Sequence, residues 1–410
     1  MPRPPAPSLA VQRCVLALNG GSSSIRFAVH QVMPPYQRRV HGNIARVGQR
    51  DAELVISDSG GTTRTERIRA PDHRVAVTAL LTQLEIHQAF ASIVAVGHRI
   101  VHGMAHARPE RVTASLLTEL RQLTPFDPEH LPRELAMIDV VRRRHADLPQ
   151  VACFDTAFHR TMPGVATRLA LPRHFAKEGL RRYGFHGLSY AYLIEELRRV
   201  SPTAARGRVI LAHLGNGASL AAVHRGLSVD TSMGFTPSGG LVMGTRSGDI
   251  DPGLVTYLTR AQHVSPARFR TIVNEESGLL GISETSADMR DLLGRESSDP
   301  RAAEAVELFC YQVRKWIGAY AAVLGGVDAL VFSGGIGEHA ALVRARICAP
   351  LAFLGIVVVP RRNSAHAPLI STDAARVQVR VIPSNEELMI ARDVIRTLGL
   401  DAARPRSPRA

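Results

Sequence analysis

Between two apolar runs near the start of the chain, 15–18 and 25–29, lies the segment Asn19-Gly-Gly-Ser-Ser-Ser24. Three hydroxyls and glycine-freed backbone N–H groups at that spacing can hold phosphate oxygens, much as an anion nest does. A Walker loop would need Gly-Lys-Ser/Thr opening a helix, and neither Lys177 nor Lys315 sits in such a setting. Alone, the segment reads as an ordinary Gly/Ser turn. Its repetition argues otherwise. Arg208 to Val223 again passes from an apolar strand through Gly215-Asn216-Gly217 into a second apolar run, about half the chain away. A third glycine turn, Ser333-Gly334-Gly335-Ile336-Gly337-Glu338, follows the apolar run 329–332. It leads into a helix-like stretch, 340–347, whose N-terminus can face a nucleotide.

Four more segments carry polar residues where core packing would not choose them. Arg99 follows an apolar strand in Gly97-His-Arg-Ile-Val-His-Gly103, and Asp155 ends the run 151–154. Tyr183-Gly-Phe-His-Gly187 flanks an aromatic ring and a histidine with glycines, and Gly244-Thr-Arg-Ser-Gly-Asp-Ile-Asp251 centres on an arginine. Each has a plain structural explanation as a core histidine, a helix N-cap or a turn former. Gathered at strand ends, where open α/β sheets bind ligands, they point to a nucleotide cleft between two domains.

The elements that must position these groups follow from pattern. Strands are expected at 14–18 and 25–29, with weaker ones at 40–47, 53–57 and 65–69, then 93–96 and 151–154. The two glycine loops then join strands into hairpins, the second across 208–223, with later strands at 329–332, 355–359 and 377–382. Helices are expected at 73–89, 113–122, 131–145, 188–200 and 385–398. A long core helix is expected at 302–324, where Val306, Phe309, Val313, Trp316, Ile317 and Tyr320 recur at helical spacing. Strands alternating with helices give an α/β class.

With 410 residues the chain exceeds the usual size of one core, so two domains are expected. The main boundary is placed near Asp155: residues 1–155, rejoined by the last helix (about 388–400), and residues 156–387. Residues 1–12, rich in proline, and 401–410 read as a disordered leader and tail, without the apolar stretch of a secretion signal. Hydrophobic residues make up 45%, and no apolar run approaches the roughly 20 residues that span a bilayer. The scattered Cys14, Cys153, Cys310 and Cys348 suit reduced, mostly buried thiols of a cytoplasmic protein and not a zinc site. A net charge of +14 raises the question of nucleic acid. Only two of the 50 basic residues are lysines, no basic block or nucleic-acid motif appears, and a solvated arginine-rich surface is the better reading.

Taken together, the chain from about Cys14 to Leu400 resembles the acetate kinase family of acetate and propionate kinases. The segments above carry the resemblance, along with Phe154-Asp-Thr-Ala-Phe-His-Arg-Thr-Met-Pro163, Asp230-Thr-Ser-Met-Gly-Phe-Thr-Pro237 and Asn385-Glu-Glu-Leu388, all in family order. The resemblance implies a two-domain actin-like ATPase fold with a duplicated core, as in acetate and sugar kinases, Hsp70 and actin. It also implies a homodimer and reversible, Mg²⁺-dependent phosphoryl transfer (Mn²⁺ in its place) between ATP and a short carboxylate.

A carboxylate with a pKa of ~4–5 is already ionised at neutral pH, so the nucleophile needs no general base. What remains is to align two anions and neutralise the transferred phosphoryl group. By resemblance, Arg99 and Arg246 flank the acyl and phosphoryl groups, His186 donates to the transition-state oxygens, and Asp155 helps to place metal or substrate. Val101, Phe126, Phe185 and Pro237 match the acyl pocket. Asn19, Ser22, Ser24, Arg26, His213, Gly215, Asn216 and Gly217 match the phosphate grip, and Asp288, Arg290, Gly335 and Ile336 the surroundings of the adenosine. Asn19 and Glu386 match the metal site. Arg26 and Asp127 stand where the family carries lysine and histidine, with His130 near enough in sequence to replace the imidazole. Asp127 would also suit a nucleotide-binding homologue of altered catalysis, and a butyrate kinase is the same-class alternative. Intact Arg99, Asp155, His186 and Arg246 favour a working kinase.

Overall fold

The structure, a computed structural model, describes residues 12–86 and 90–401. Residues 1–11 and 402–410 of the expected leader and tail, and the last three residues of the helix expected at 73–89, lie outside the described residues. The chain divides into two compact units, residues 1–154 with 386–410, and residues 155–385.

The first unit is built on eight strands: β1 (Cys14–Gly20), β2 (Ile25–Gln31), β3 (Arg38–Ala45), β4 (Glu53–Asp58), β5 (Thr63–Arg67), β6 (Ile93–Ile100), β7 (Glu110–Arg111) and β8 (Gln150–Phe154), in the order β5-β4-β3-β2-β1-β6-β8-β7. β1 and β2 form the antiparallel hairpin, while β6 and β8 run parallel to β1. Every residue of β1 is buried, as a central strand covered on both faces requires. Leu16 and Leu18 join a core with the helices His73–Ile86 and Leu131–Arg144. The helix Glu386–Leu398 also packs on β1 and β6. It comes so close that a Cβ on Gly97 would lie 2.4 Å from Ile390 and 2.6 Å from Val394.

The second unit repeats the theme with β9 (Arg208–Leu214), β10 (Ala218–His224), β11 (Leu227–Thr231), β12 (Ala329–Ser333) and β13 (Gln378–Val381), in the order β11-β10-β9-β12-β13. An antiparallel triplet again adjoins two parallel strands, so β11-β10-β9-β12-β13 mirrors β3-β2-β1-β6-β8. The duplicated core expected from the echoing loops is present. The helix Gly187–Val200 buries Tyr190, Leu193, Ile194 and Leu197 against β9 and β12.

The helix Pro300–Leu324 forms as expected. Asp299 accepts a hydrogen bond from Arg301 N at its start, and Gly325 turns into the left-handed region (φ 69°) at its end. Its core face holds Val306, Phe309, Val313, Ile317 and Tyr320, but Trp316 is only half-buried. The strand expected at 355–359 does not form. Gly355 (φ 80°) ends a 3₁₀ turn, Pro360 opens a short helix, and Val359 N makes a lone bond to Ile370 O. An apolar run between two such breakers is extended without a ladder.

Candidate active site

In the first unit the functional side chains stand at the carboxyl ends of parallel strands. The β1–β2 tip is a tight turn, with Gly21 N donating to Ser24 O at 2.7 Å. It is pinned from outside by Arg133 on Ser22 O (2.7 Å) and His73 Nε2 on Gly21 O (2.9 Å). Ser22 and Arg26 are exposed, and Arg26 lies opposite Asn19 in the hairpin register. Asn19 is buried and joins three elements. Its Oδ1 accepts from Arg99 at the end of β6 (3.3 Å), and its Nδ2 donates to Glu386 Oε2 (2.8 Å) and Glu387 Oε1 (3.0 Å) in the first turn of the last helix. Burial, then the charge of Glu386, holds the Glu387 carboxyl above its usual range, with the Asn19 bond and Arg26 working against them.

Val101 and Phe126 belong to this unit too. Val101 is buried, and its N–H is shared by both oxygens of the buried Glu134 at 3.1 Å. Phe126 closes a 3₁₀ turn and is half-buried. Next to it, buried Asp127 accepts from His130 Nδ1 (2.9 Å) and His130 N (3.2 Å). Burial alone would push the Asp127 carboxyl up, but these bonds and the His130 charge outweigh it and hold the carboxyl below its usual value.

In the second unit the loop 183–187 is shaped by its glycines. Gly184 has φ 75°, and a Cβ there would lie 2.3 Å from Thr231; one on Gly187 would lie 1.8 Å from Asp155 O. Between them His186 takes a left-handed conformation (φ 58°), unusual for a residue with a side chain. Fully buried His159 holds the loop, donating from Nε2 to Phe185 O (3.1 Å) with Nδ1 on Ser228 Oγ (2.9 Å). Burial lowers its pKa to about 4. Asp155, also fully buried, aims Oδ1 at Leu188 N in the first turn of the next helix.

His186 stacks on His213 at 4.3 Å, and Ser189 Oγ bonds His213 Nδ1 at 2.8 Å. His186 Nδ1 bonds Ser219 Oγ at 2.8 Å. Its Nε2 lies 3.3 Å from where a Gly217 Cβ would stand, and Arg246 Nη1 lies 3.6 Å from the same point. Gly217 therefore clears a space between two cationic or donor groups. Arg246 is held by Pro237 O at 3.1 Å. Gly215 adjoins both sides of this loop: its Cβ position is 3.8 Å from Gly335 N and 4.0 Å from His213 Nε2. The parallel pairing of β12 with β9, Ser333 beside His213, produces that approach. Ile336 follows within the short helix Gly334–His339. Gly244 N donates to Asn216 O (3.0 Å), bringing the Arg246 loop onto the β9–β10 turn. Asp288 and Arg290 pair with each other at 2.6 Å, and Arg290 is largely exposed.

Residues 14–392 match the Acetokinase family. The chain belongs to that family. It is 43% identical over 406 residues to an acetate kinase of Methylocella silvestris, covering 96% of this chain and all of that one. It is also 43% identical to a propionate kinase of Citrobacter rodentium, over 93% of this chain and 96% of that one. Among solved structures, an acetate kinase of Porphyromonas gingivalis is similar at a TM-score of 0.85 and 36% identity, covering 94% of this chain and all of that one. A propionate kinase of Francisella tularensis reaches 0.88 at 36% identity, covering 93% of this chain and 98% of that one. The duplicated sheets are thus those of an acetokinase, the actin-like fold that the motifs implied.

Within each unit the family residues gather as sets: Asn19, Arg99 and Glu386 in one, and His186, His213, Gly217 and Arg246 in the other. Sequence reading left Glu387, Glu134, His159, Tyr190 and Ser219 without roles. Glu387 and Ser219 lie inside motifs already singled out, whereas nothing in the sequence marks Glu134 or Tyr190.

Proposed function

We propose that this acetokinase-family protein moves the γ-phosphoryl group of ATP onto acetate or propionate by direct in-line displacement, reversibly. A carboxylate oxygen bonds to phosphorus, the bond to the bridging oxygen breaks, and ADP leaves with the electron pair; no proton need move. The observation that carries this reading is the meeting of His186 Nε2 and Arg246 Nη1 around the bare Cα of Gly217. Two fixed donors over a glycine loop suit a group that gathers negative charge as it transfers. By the family resemblance, Arg99 serves the phosphoryl group, and Val101, Phe126, Phe185 and Pro237 the acyl chain. Ser22, Ser24, Arg26, His213, Gly215 and Asn216 serve the phosphates, and Asp288, Arg290, Gly335 and Ile336 the nucleoside. Asp155 steadies the first turn of the helix that follows His186.

The residues fit Mg²⁺. Glu386 and Glu387 are adjacent carboxylates whose mutual repulsion a cation would relieve, and Mg²⁺ takes one or two carboxylates with water and phosphate oxygens. Glu386 would hold the ion through water. Asn19 fits less well as a direct ligand, because Arg99 occupies its Oδ1 and its Nδ2 is a donor. When bound, Mg²⁺ (or Mn²⁺) supplies charge neutralisation on the nucleotide phosphates.

Trapping of the acyl phosphate as its hydroxamate, from ATP and Mg²⁺ with acetate, propionate or butyrate, tests the reading. Product with the two shorter acids is expected. ATP binding without product from any acid would overturn it, and a preference for butyrate would move the substrate assignment.

We further read the protein as a cytoplasmic homodimer. No helix among the described residues is long and apolar enough to cross a membrane, and all four cysteines are buried free thiols. The helix Gly253–Ala261 buries none of its side chains, leaving Leu254, Val255 and Tyr257 exposed beside Ile250. A second copy would cover that face. Sedimentation of the purified chain should give twice the 44.5 kDa protomer mass, and a monomer at micromolar concentration would refute the dimer.

A further inference from the structure

Two buried hydroxyls stand in a row behind His186. Tyr190, one helical turn beyond His186, is fully buried, and its hydroxyl lies against Ser219 Oγ. Ser219 is fully buried too and lies 2.8 Å from His186 Nδ1. Burial keeps the Tyr190 phenol protonated, with a pKa raised well above its usual value. A buried O–H must donate or its desolvation goes uncompensated. The atom within reach is Ser219 Oγ. Ser219, having accepted from Tyr190, donates its own proton, and the acceptor within reach is His186 Nδ1.

We propose that the Tyr190–Ser219 hydroxyl relay fixes His186 as the Nε2–H tautomer. The ring proton then sits on the atom that faces Gly217 beside Arg246, so His186 presents a ready N–H donor where phosphoryl oxygens gather charge. The reverse tautomer would turn a bare nitrogen lone pair toward an anion. Ser219 and Tyr190 are positioning residues, and their role in turnover rests on the kinase reading given above. The strained φ of His186 and its stacking on His213 fix where the ring stands, and the relay fixes which nitrogen carries the proton.

The test reads the tautomer directly, whatever the activity. In full-length protein labelled with ¹⁵N-histidine, the His186 signals are those lost in His186→Gln. The relay requires a protonated Nε2 and an unprotonated, hydrogen-bonded Nδ1. A wild-type Nδ1–H tautomer overturns the proposal even if the enzyme is fully active. Conversely, an Nε2–H signal in a protein without kinase activity would keep the relay and discard the kinase reading. Ser219→Ala should lower kcat at least about tenfold with little change in the KM for ATP, and Tyr190→Phe should do so more mildly. Ser219→Thr, which keeps the hydroxyl, should retain both the Nε2–H signal and most of kcat. Wild-type turnover in Ser219→Ala, or loss of the Nε2–H signal in Ser219→Thr with its fold intact, counts against the relay.

Discussion

Arg99 Nη1 lies 3.3 Å from Asn19 Oδ1, and this contact sets the direction of the Asn19 amide. Turned the other way, the amide would point its oxygen at two carboxylates and its NH₂ at a guanidinium. As it stands, a single buried side chain couples the arginine at the end of β6 to Glu386 and Glu387 in the first turn of the last helix. Groups 80 and more residues apart in sequence are thereby held by one amide.

Asn19→Asp makes this relationship testable. The new carboxylate would keep Arg99 but face Glu386 and Glu387 with a third negative charge and no donor. Stability should fall by about 1–3 kcal/mol in urea unfolding. The concentration of Mg²⁺·ATP needed for half-maximal rate should rise, while Asn19→Ser, small and neutral, should lose less stability. An unchanged unfolding midpoint for Asn19→Asp would show that the amide is not the tie.

Arg246 is held by Pro237 O and aims Nη1 at the Gly217 clearing. Arg246→Ala should cut kcat by about 10²–10³ with its melting temperature close to that of wild type. Arg246→Lys should recover only a small part, since a point charge on a flexible stem cannot keep both the Pro237 bond and the aim. Steady-state rates of acyl phosphate formation, read beside thermal melts, separate lost chemistry from lost folding.

Acid should destabilise the protein through its buried imidazoles. Burial lowers the pKa of both His98 and His159 to about 4. The unfolded chain binds these protons near its ordinary histidine value of about 6.5, so it takes them up before the folded chain does. Stability is therefore full above about pH 6.5 and falls as pH drops toward 4, by up to ~1.4 kcal/mol per pH unit for each histidine. His30 and His73, lowered mainly by burial, act in the same direction. His159→Gln should make the acid limb of the stability curve shallower by about one proton. A slope identical to wild type would show that His159 is not one of the titrating groups.

Most of the scaffold was legible because periodicity reports burial. β1 and β2 bracket a loop whose residues could not be core, and the echo at β9 and β10 announced the duplication. The apolar run 355–359 misled because its composition suits a strand while its flanking Gly355 and Pro360 set the backbone. In the candidate site, the grouping of Arg99 with Asn19 and of His186 with Arg246 brings together segments that the sequence had already marked. The sequence is silent where one side chain is held by another far along the chain. Glu134 looks like any helical glutamate until its carboxylate is found on Val101 N, and Tyr190 like any core aromatic until its hydroxyl meets Ser219. Long-range pairing of that kind leaves no local pattern to read.

Arg344 is such a residue, and its loss should be costly. It is fully buried, hydrogen-bonds no carboxylate among the described residues, and has its pKa lowered by burial. Its guanidinium instead donates to Gly337 O (2.8 Å), Glu338 O (2.9 Å), Asn363 Oδ1 (2.8 Å) and Asn363 O (2.9 Å). Two of those carbonyls lie near the end of the helix Gly334–His339, where a positive charge complements the helix dipole. Arg344→Met fills the space but strands these acceptors, so stability should drop by about 3–5 kcal/mol. Arg344→Lys should restore only part of it, because an ammonium cannot span the same fork of acceptors. Since Gly335 and Ile336 ride on that helix, the KM for ATP should rise more than the KM for the carboxylate. Wild-type melting of Arg344→Met would show that these hydrogen bonds do not hold the helix in place.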